Sequence, residues 1–279
     1  MTDLEIANAA PAARLLGAAN GWTAREFTCR AGPGDAPFEE RQDGFSLALV
    51  LEGLFTSHSE NGRALMHPGS VMLGNHDSCY ACGHEHGVGD RCLSLSVSPD
   101  LFGEIAAASG AGAGFRFPFG KLTPEGTLMA QSALLSATGH EPLLAEERIL
   151  SFAAGAIRSL AGSTARLQAV SAGDMRRIAR VLRHIEHAAS EPLSLDRLAA
   201  IAALSKFHFL RVFRRVTGRT PYQFVTGSRL TRCAEALVST REPVSRIAFA
   251  TGFGDLSTFN AAFRAQFGDS PMAFRRKYG

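Results

Sequence analysis

The spacing of hydrophobic positions changes twice along the chain. Between residues 21 and 99, short apolar or alternating runs such as FSLALVLEG and RCLSLSVS are separated by turn residues, which predicts β-strands. After residue 99 the pattern becomes helical, in LFGEIAAA and over 123–138 and 141–160. In the last third, apolar residues recur at three- and four-residue intervals. The chain is therefore predicted to be α+β, with a sheet-rich first part and an all-α last part.

A length of 279 residues suggests two domains. We predict a β-barrel or jelly roll over 1–120, a helical linker over 121–172 and an all-α domain over 173–279. The small, polar segment SAGDM at 171–175 marks the expected boundary. The linker helices are candidates either for a dimer interface or for packing against the barrel, since an apolar helix face can be buried in both ways.

Two segments of the last third, 194–218 and 244–268, each have the pattern of a helix-turn-helix unit ending on glycine. In the first, Ser194 and Ser205 are predicted to cap the two helices. The connecting segment 221–239 is predicted to be one helix that holds both units. The residues expected to face the two cores are Phe209, Val212, Phe213 and Val216, and Phe259, Ala262, Phe263 and Phe267.

The opposite faces of the two second helices carry the candidate DNA-contacting side chains. Solubility alone does not explain Phe207 and Leu210 on such a face, whereas apolar groups can contact thymine methyls. Arginine can pair with O6 and N7 of guanine, so these helices are predicted to lie in the major groove. The candidate DNA-binding residues are Lys206, Phe207, Leu210, Arg211, Arg214, Ser257, Thr258, Asn260 and Arg264.

Charge is strongly polarised along the chain. Residues 174–279 contain 18 lysines and arginines against 8 aspartates and glutamates, a net charge of +10, while the first 173 residues carry 11 against 18, a net charge of −7. A basic region that coincides with two predicted recognition helices is the expected footprint of a phosphate binder.

Residues from about 175 to 279 resemble the DNA-binding domain of the AraC/XylS family of bacterial transcription regulators. The similarity lies in LAAIAALS, FLRVFRRVTGRTPYQFV, SRLTRCAEAL, IAFATGFGD and FGDSPMAFRR. It implies base contacts from Phe207, Leu210 and Arg211, and phosphate contacts from Arg214 and the helix N-termini. It also implies a cupin-like effector domain and activation through RNA polymerase. Ala261 departs from the arginine that family members often carry, which leaves Asn260 as a substitute that can bind adenine.

A dense cluster of thiols and imidazoles lies at 75–92, in NHDSCYACGHEHGVGDRC. Thiolates in C-x-x-C spacing can hold a soft divalent metal from a turn, with Zn²⁺ as the default ion. The alternatives are a thiol switch, activated by nearby histidines and Arg91, or cysteines that only pack in the core. The candidate ligands are a subset of Cys79, Cys82, His84, His86 and Cys92, with Cys29 or His76 as possible additions.

These features predict a DNA-binding transcription regulator that is not an enzyme, and the family resemblance implies that it is an activator. It would bind promoter DNA as a homodimer and respond to a metal, redox or small-molecule signal in its N-terminal part. Two enzymes are alternatives. A zinc-containing DNA-repair methyl acceptor of the adaptive-response type would have two separated pairs of cysteines. This chain instead has a lone Cys29 and a cluster of Cys79, Cys82 and Cys92. A cupin metalloenzyme needs another histidine from a later strand, and none lies between His86 and His140.

The expected location is the cytoplasm, without membrane association. The first residues contain no basic region followed by a long apolar run, unlike a secretory signal, and no transmembrane span is predicted. Cysteines in that compartment are normally reduced, so a structural disulfide is not expected.

Overall fold

The computed structural model describes residues 11–125, 128, 131–132, 142–161, 170–188 and 193–279. The chain divides into two compact units, the first formed by Met1–Pro124 and His140–Ser171 and the second by Glu125–Gly139 and Ala172–Gly279. The described strands all lie in the first unit, and the second is helical in its described part. The predicted α+β class is therefore confirmed.

Ten described strands in the first unit form two antiparallel sheets. The larger sheet has the order β1-β2-β9-β4-β7-β10, and the smaller has the order β3-β8-β5-β6. The strands are β1 (Ala12–Ala19), β2 (Trp22–Cys29), β3 (Phe38–Arg41), β4 (Phe45–Gly53), β5 (Phe55–Ser59), β6 (Gly62–Met66), β7 (Val71–Gly74), β8 (Cys79–Gly83), β9 (Asp90–Val97) and β10 (Lys121–Leu122).

The two sheets pack against each other through a shared buried cluster. Val50 and Cys92 contribute to it from the larger sheet, and Phe55 and Met66 from the smaller one. Because successive side chains of a strand alternate between its faces, Cys92 points between the sheets while Leu93 is buried on the opposite face. The described strand pairings form two separate sheets and not a closed barrel.

Two helices of the first unit match the predicted helical segments: α1 (Pro99–Ala108) and α2 (Pro142–Ala161). The ring of Phe102 in α1 stacks on that of Phe45 in β4, with centroids 3.7 Å apart. The indole Nε1 of Trp22 donates to Oε1 of Glu146 in α2 at 3.2 Å. The apolar face of α2 is already buried within one chain, at Ile149, Phe152, Ala153, Ala156, Ile157 and Leu160. Most of the helix predicted over 123–138 lies outside the described residues.

Strand β1 was not predicted, because its sequence AARLLGAA has the composition of a helix. Its antiparallel ladder with β2 runs from Ala12 opposite Thr28 to Ala19 opposite Trp22, with a bulge after Leu15. Pairing with a neighbouring strand therefore overrides local propensity here.

The second unit contains seven described helices. Helix α3 packs against α4 and α5, whereas α6 contacts α5, α7 and α9. The segment 171–175, predicted as the boundary, itself begins α3, which starts at Ala172. The helices are α3 (Ala172–His187), α4 (Leu195–Ala202), α5 (Lys206–Thr217), α6 (Pro221–Ser239), α7 (Val244–Ala250), α8 (Leu256–Phe267) and α9 (Pro271–Tyr278).

Helix α6 is the connecting helix that the sequence predicted, and it belongs to the cores of both helix-turn-helix units. Near its start, Phe224 meets Phe213 of α5 edge to face, with ring centroids 5.7 Å apart. Further along, Leu230 and Leu237 are buried in the cluster that contains Phe263 of α8. A single helix shared by two cores gives the pair of units a stiff connection.

The far end of α6 is closed by helix α9. The guanidinium of Arg275 donates to the backbone carbonyl of Leu237 at 3.2 Å and to that of Glu242 at 2.6 Å. The last carbonyls of a helix have no intrahelical partner, so a donated hydrogen bond from a cation stabilises this terminus.

Candidate nucleic-acid interface and thiol cluster

The first helix-turn-helix unit is α4, a short turn and α5. Ser194 Oγ accepts from Arg197 N at 3.2 Å, and Ser205 Oγ accepts from His208 N at 3.4 Å, so both predicted caps are confirmed. Ala203 ends α4 in the left-handed region at φ 52°. A non-glycine residue there costs about 1–2 kcal/mol, which the surrounding turn must offset.

The exposed face of α5 contains the predicted DNA-contacting side chains. Phe207 is 88% exposed, which is unusual for a phenylalanine in a folded domain. Arg211 and Arg214 are also exposed, and Leu210 is half-buried. Because an α-helix turns about 100° per residue, Phe207, Arg211 and Arg214 lie within an arc of about 60°.

This face points away from the core, since the four predicted inward residues Phe209, Val212, Phe213 and Val216 are all buried. Lys206, at the start of α5, forms an ion pair with Asp196 of α4, with Nζ and Oδ1 2.6 Å apart. Both side chains are largely exposed, so this pair contributes little to stability and leaves the lysine available at the surface.

The second helix-turn-helix unit consists of α7, a turn and α8. The N-cap of α8 is Asp255. Its Oδ1 accepts from Thr258 N at 2.7 Å, and this hydrogen bond lowers the pKa of the carboxyl group. The matched caps, Ser205 and Asp255, are 50 residues apart, as are the left-handed glycines Gly218 and Gly268 that end the two helices.

The 50-residue repeat pairs each exposed residue of α8 with one of α5. Ser257 corresponds to Phe207, Asn260 to Leu210, and Arg264 to Arg214. The second face is thus less apolar and carries one arginine fewer, because Ala261 stands opposite Arg211 in the repeat. Ser257, Thr258, Asn260, Ala261 and Arg264 are all exposed, and Phe259, Phe263 and Phe267 are buried as predicted.

The candidate metal ligands do not all come together. Residues 79–83 form strand β8 and not the turn from which a C-x-x-C pair could grip one ion. Side chains three apart on a strand point to opposite faces, so Cys79 is exposed while Cys82 packs against the cluster between the sheets. Cys79 therefore lies apart from the other thiols.

A tighter group forms where the turn after β8 meets the end of β2. One ligand atom each from Cys29, His84 and Asp90 lies within 4.8 Å of the other two. His84 Nε2 is 2.6 Å from Asp90 Oδ2, and the Cys92 thiol donates to Asp90 Oδ1 at 3.2 Å. His86 is buried in the same turn.

Sequence reasoning missed Asp90 and named Cys29 only as a possible addition. The signal that brings them together is the strand register, in which Cys29 of β2 lies directly opposite Asp90 of β9. Gly89, with φ 72°, permits the close approach, because a Cβ at this position would lie 2.8 Å from the Cys29 carbonyl oxygen.

The environment raises the pKa of three thiols at or near this group, Cys29, Cys82 and Cys92. Burial raises the pKa of Cys82 and of Cys92, and the neighbouring Asp90 carboxylate raises both further. Burial also raises the pKa of Cys29. Thiols with a raised pKa are poor nucleophiles, which disfavours these three as reactive thiols.

Known proteins resemble this chain over part of its length. The helix-turn-helix domain family matches residues 198–277. The regulatory protein SoxS of Escherichia coli K12 is 33% identical over 100 residues, covering 36% of this chain and 90% of SoxS. The right origin-binding protein of the same organism is 41% identical over 86 residues, covering 31% of this chain. This chain spans only 30% of that protein's length.

A solved structure is also similar to part of this chain. It is the transcriptional regulator with an AraC-type DNA-binding domain from Chromobacterium violaceum, 26% identical, covering 39% of this chain and 97% of that one at a TM-score of 0.36. SoxS is matched over 90% of its own length, and the helix-turn-helix domain family matches residues 198–277, which include both recognition helices. The chain belongs to the AraC/XylS family of transcription regulators.

Proposed function

We propose that this protein is a sequence-specific, double-stranded DNA-binding transcription regulator that acts at promoters. The observation that carries the proposal is the pair of equivalent exposed helix faces on α5 and α8, joined by one shared helix. Exposed Phe207 beside two exposed arginines is costly for solubility and suits contact with base edges and phosphates. Helices α5 and α8 are expected to enter consecutive major grooves, about 34 Å apart on one side of the duplex.

The first unit is the proposed sensor of a metal, redox or small-molecule signal. Its two packed antiparallel sheets support a cupin-like sensor fold. We further propose that the regulator is an activator that contacts RNA polymerase and binds DNA as a homodimer. Because the apolar face of α2 is already buried within one chain, a dimer through this helix would use its remaining surface.

A regulator of this kind acts in the cytoplasm, where the promoter is, and has no catalytic role. No described helix is long and apolar enough to cross a membrane. The relatives, named as regulatory and origin-binding proteins, support a non-enzymatic role over the repair methyl acceptor or a cupin metalloenzyme.

Selection of bound duplexes from a random-sequence library, with the full chain, tests the proposal. We expect one enriched motif and a footprint over two adjacent major grooves. A double variant, Phe207→Ala with Arg211→Ala, should lose the motif while the control Arg41→Ala, an exposed arginine of the first unit, retains it. Enrichment of no motif by the folded wild-type protein would contradict sequence-specific binding.

A further inference from the structure

We propose that Cys29, His84 and Asp90 form a binding site for a soft or borderline divalent cation, with Zn²⁺ as the best match. The site would give the proposed regulator an input for a signal, and to that extent the inference rests on the proposed function. The three residues come from β2, from the turn after β8 and from β9, so the site joins both sheets.

The geometry suits a small cation. Zn²⁺ binds thiolate sulfur, imidazole nitrogen and carboxylate oxygen at about 2.0–2.3 Å, which places tetrahedral ligand atoms roughly 3.3–3.8 Å apart. The three ligand atoms already lie within 4.8 Å of one another. His84 and Asp90, now 2.6 Å apart as a hydrogen-bonded pair, must separate by several tenths of an ångström to bind one cation, and Cys29 must approach them by at most about 1–1.5 Å.

The surroundings orient the three ligands. Ala31 N donates to the Cys29 sulfur at 3.5 Å, and such N–H···S bonds stabilise a thiolate. The Cys92 thiol holds Asp90 Oδ1, which leaves Oδ2 directed at His84. Cys92 is thus a positioning residue, comparable to the outer-shell partners that orient metal ligands in proteins.

The charge of the site favours a cation. The Asp90 side chain is only 9% exposed, and among the described residues no lysine or arginine forms an ion pair with it. Arg91, next in the chain, points to the other face of the sheet, where it binds Glu26 and Glu52. The close partners of Asp90 are the His84 imidazole and the Cys92 thiol, which are a metal-ligating group and a neutral donor. Buried carboxylates are ordinarily paired or bound to metal, so a divalent cation held by Asp90, His84 and Cys29 suits this environment.

The strand register argues against a disulfide as the use of these thiols. Cys29 is opposite Asp90, so Cys92 is its diagonal neighbour on β9. Diagonal neighbours are about 7 Å apart, whereas a disulfide needs Cβ atoms about 3.5–4.5 Å apart.

Three protein ligands leave a fourth coordination position to water, as in metal sites that exchange ligands.

The test uses the full chain, stripped with a chelator and then titrated with Zn²⁺ or Co²⁺ alone. We expect about one ion per chain and the visible absorption of tetrahedral cobalt with a thiolate ligand. Asp90→Asn, which keeps the shape of the side chain, should weaken Zn²⁺ binding by at least the ~10–100-fold that the loss of outer-shell partners costs. Cys29→Ser should also remove the thiolate absorption.

Two controls make the assignment specific. Cys79→Ser changes the exposed thiol of β8 and should leave metal content unchanged. Cys92→Ser keeps a hydroxyl that can donate to Asp90 and should also retain the ion. Far-UV circular dichroism identifies any unfolded variant, and the wild-type cobalt spectrum then decides by itself. Folded wild-type protein without a thiolate–cobalt spectrum, or Asp90→Asn with unchanged Zn²⁺ affinity, would overturn the proposal.

Failure of the metal site and failure of the proposed function give different results. Asp90 lies outside the DNA-binding unit. Duplex binding by the Asp90→Asn variant in metal-free buffer therefore measures the second unit alone. Wild-type protein that selects a DNA motif but takes up no metal would overturn only the metal site. Metal-loaded protein that selects no motif would overturn only the proposed function.

Discussion

Arg211 and Ala261 occupy equivalent exposed positions on the two recognition helices, each six residues after its N-cap. The guanidinium of one can pair with guanine, whereas the methyl group of the other offers only an apolar contact. The two helix-turn-helix units therefore share one geometry and differ in what they can recognise. This asymmetry leads to the first two predictions.

Arg211→Ala is expected to relax sequence preference, while Arg214→Ala weakens binding to all duplexes alike. Loss of a guanine pair should cost about 1–3 kcal/mol on the selected site, and loss of a phosphate contact should not depend on sequence. Affinities for the selected and a scrambled duplex, measured at one salt concentration, separate the two effects. Equal losses on both duplexes for Arg211→Ala would show that it contacts phosphate.

Base changes in the half of the operator that faces α8 are expected to be tolerated better than changes facing α5. Ala261 cannot make a bidentate contact with a base. The second helix-turn-helix unit therefore contributes mainly positioning, through Arg264 and the helix N-terminus. A footprinting series with single-base operator variants measures this. Equal sensitivity of the two halves would mean that Asn260, Ser257 or Thr258 contacts bases.

Phe207→Ala is expected to weaken binding to the selected site without lowering the melting temperature. The side chain is 88% exposed and contributes little to the core. The neighbouring change Phe209→Ala is the matched contrast, because Phe209 is fully buried and its loss should cost about 3–5 kcal/mol of unfolding free energy. A large destabilisation by Phe207→Ala would show that this ring packs within the protein.

Helix α8 is expected to lose stability in acid through its cap. The pKa of Asp255 is lowered by the hydrogen bond from Thr258 N, so its contribution is complete above the usual value of 3.8 and is lost as pH falls through the lowered folded pKa. Asp255→Asn, which can still cap, should flatten this part of the acid dependence of the melting temperature. An unchanged acid profile would show that the charge of Asp255 is not involved.

Gly268→Ala is expected to destabilise the second unit by about 1–2 kcal/mol, because a Cβ disfavours the left-handed conformation. Its φ is 79°, and a Cβ there would meet no atom within 4 Å, so the cost is purely conformational. Gly254→Ala is the control, since this glycine is equally open but does not have positive φ. Chemical denaturation of both variants measures the difference, and similar values for the two would contradict the explanation.

The helical third could be predicted from sequence because its determinants are local. Caps such as Ser194 and Ser205, and core positions such as Phe209 and Phe213, depend on residues three or four apart on one helix. The exposure of Phe207 and Arg211 followed from the same period. No N-cap was predicted for α8, because Asp255, Ser257 and Thr258 are all good capping residues and only the packed turn selects Asp255.

The fold of the first unit depends on tertiary contacts more than that of the helical third. The sequence determined that short strands form there and that thiols and imidazoles concentrate at 75–92. It did not determine that Ala12–Ala19 pairs as an edge strand, that β8 separates Cys79 from Cys82, or that Cys29 lies opposite Asp90. Strand pairing joins residues far apart in the chain, and a shift of one residue in register exchanges the two faces of a strand. For that reason the local pattern could predict the recognition helices, while only the paired sheets could bring Cys29, His84 and Asp90 together.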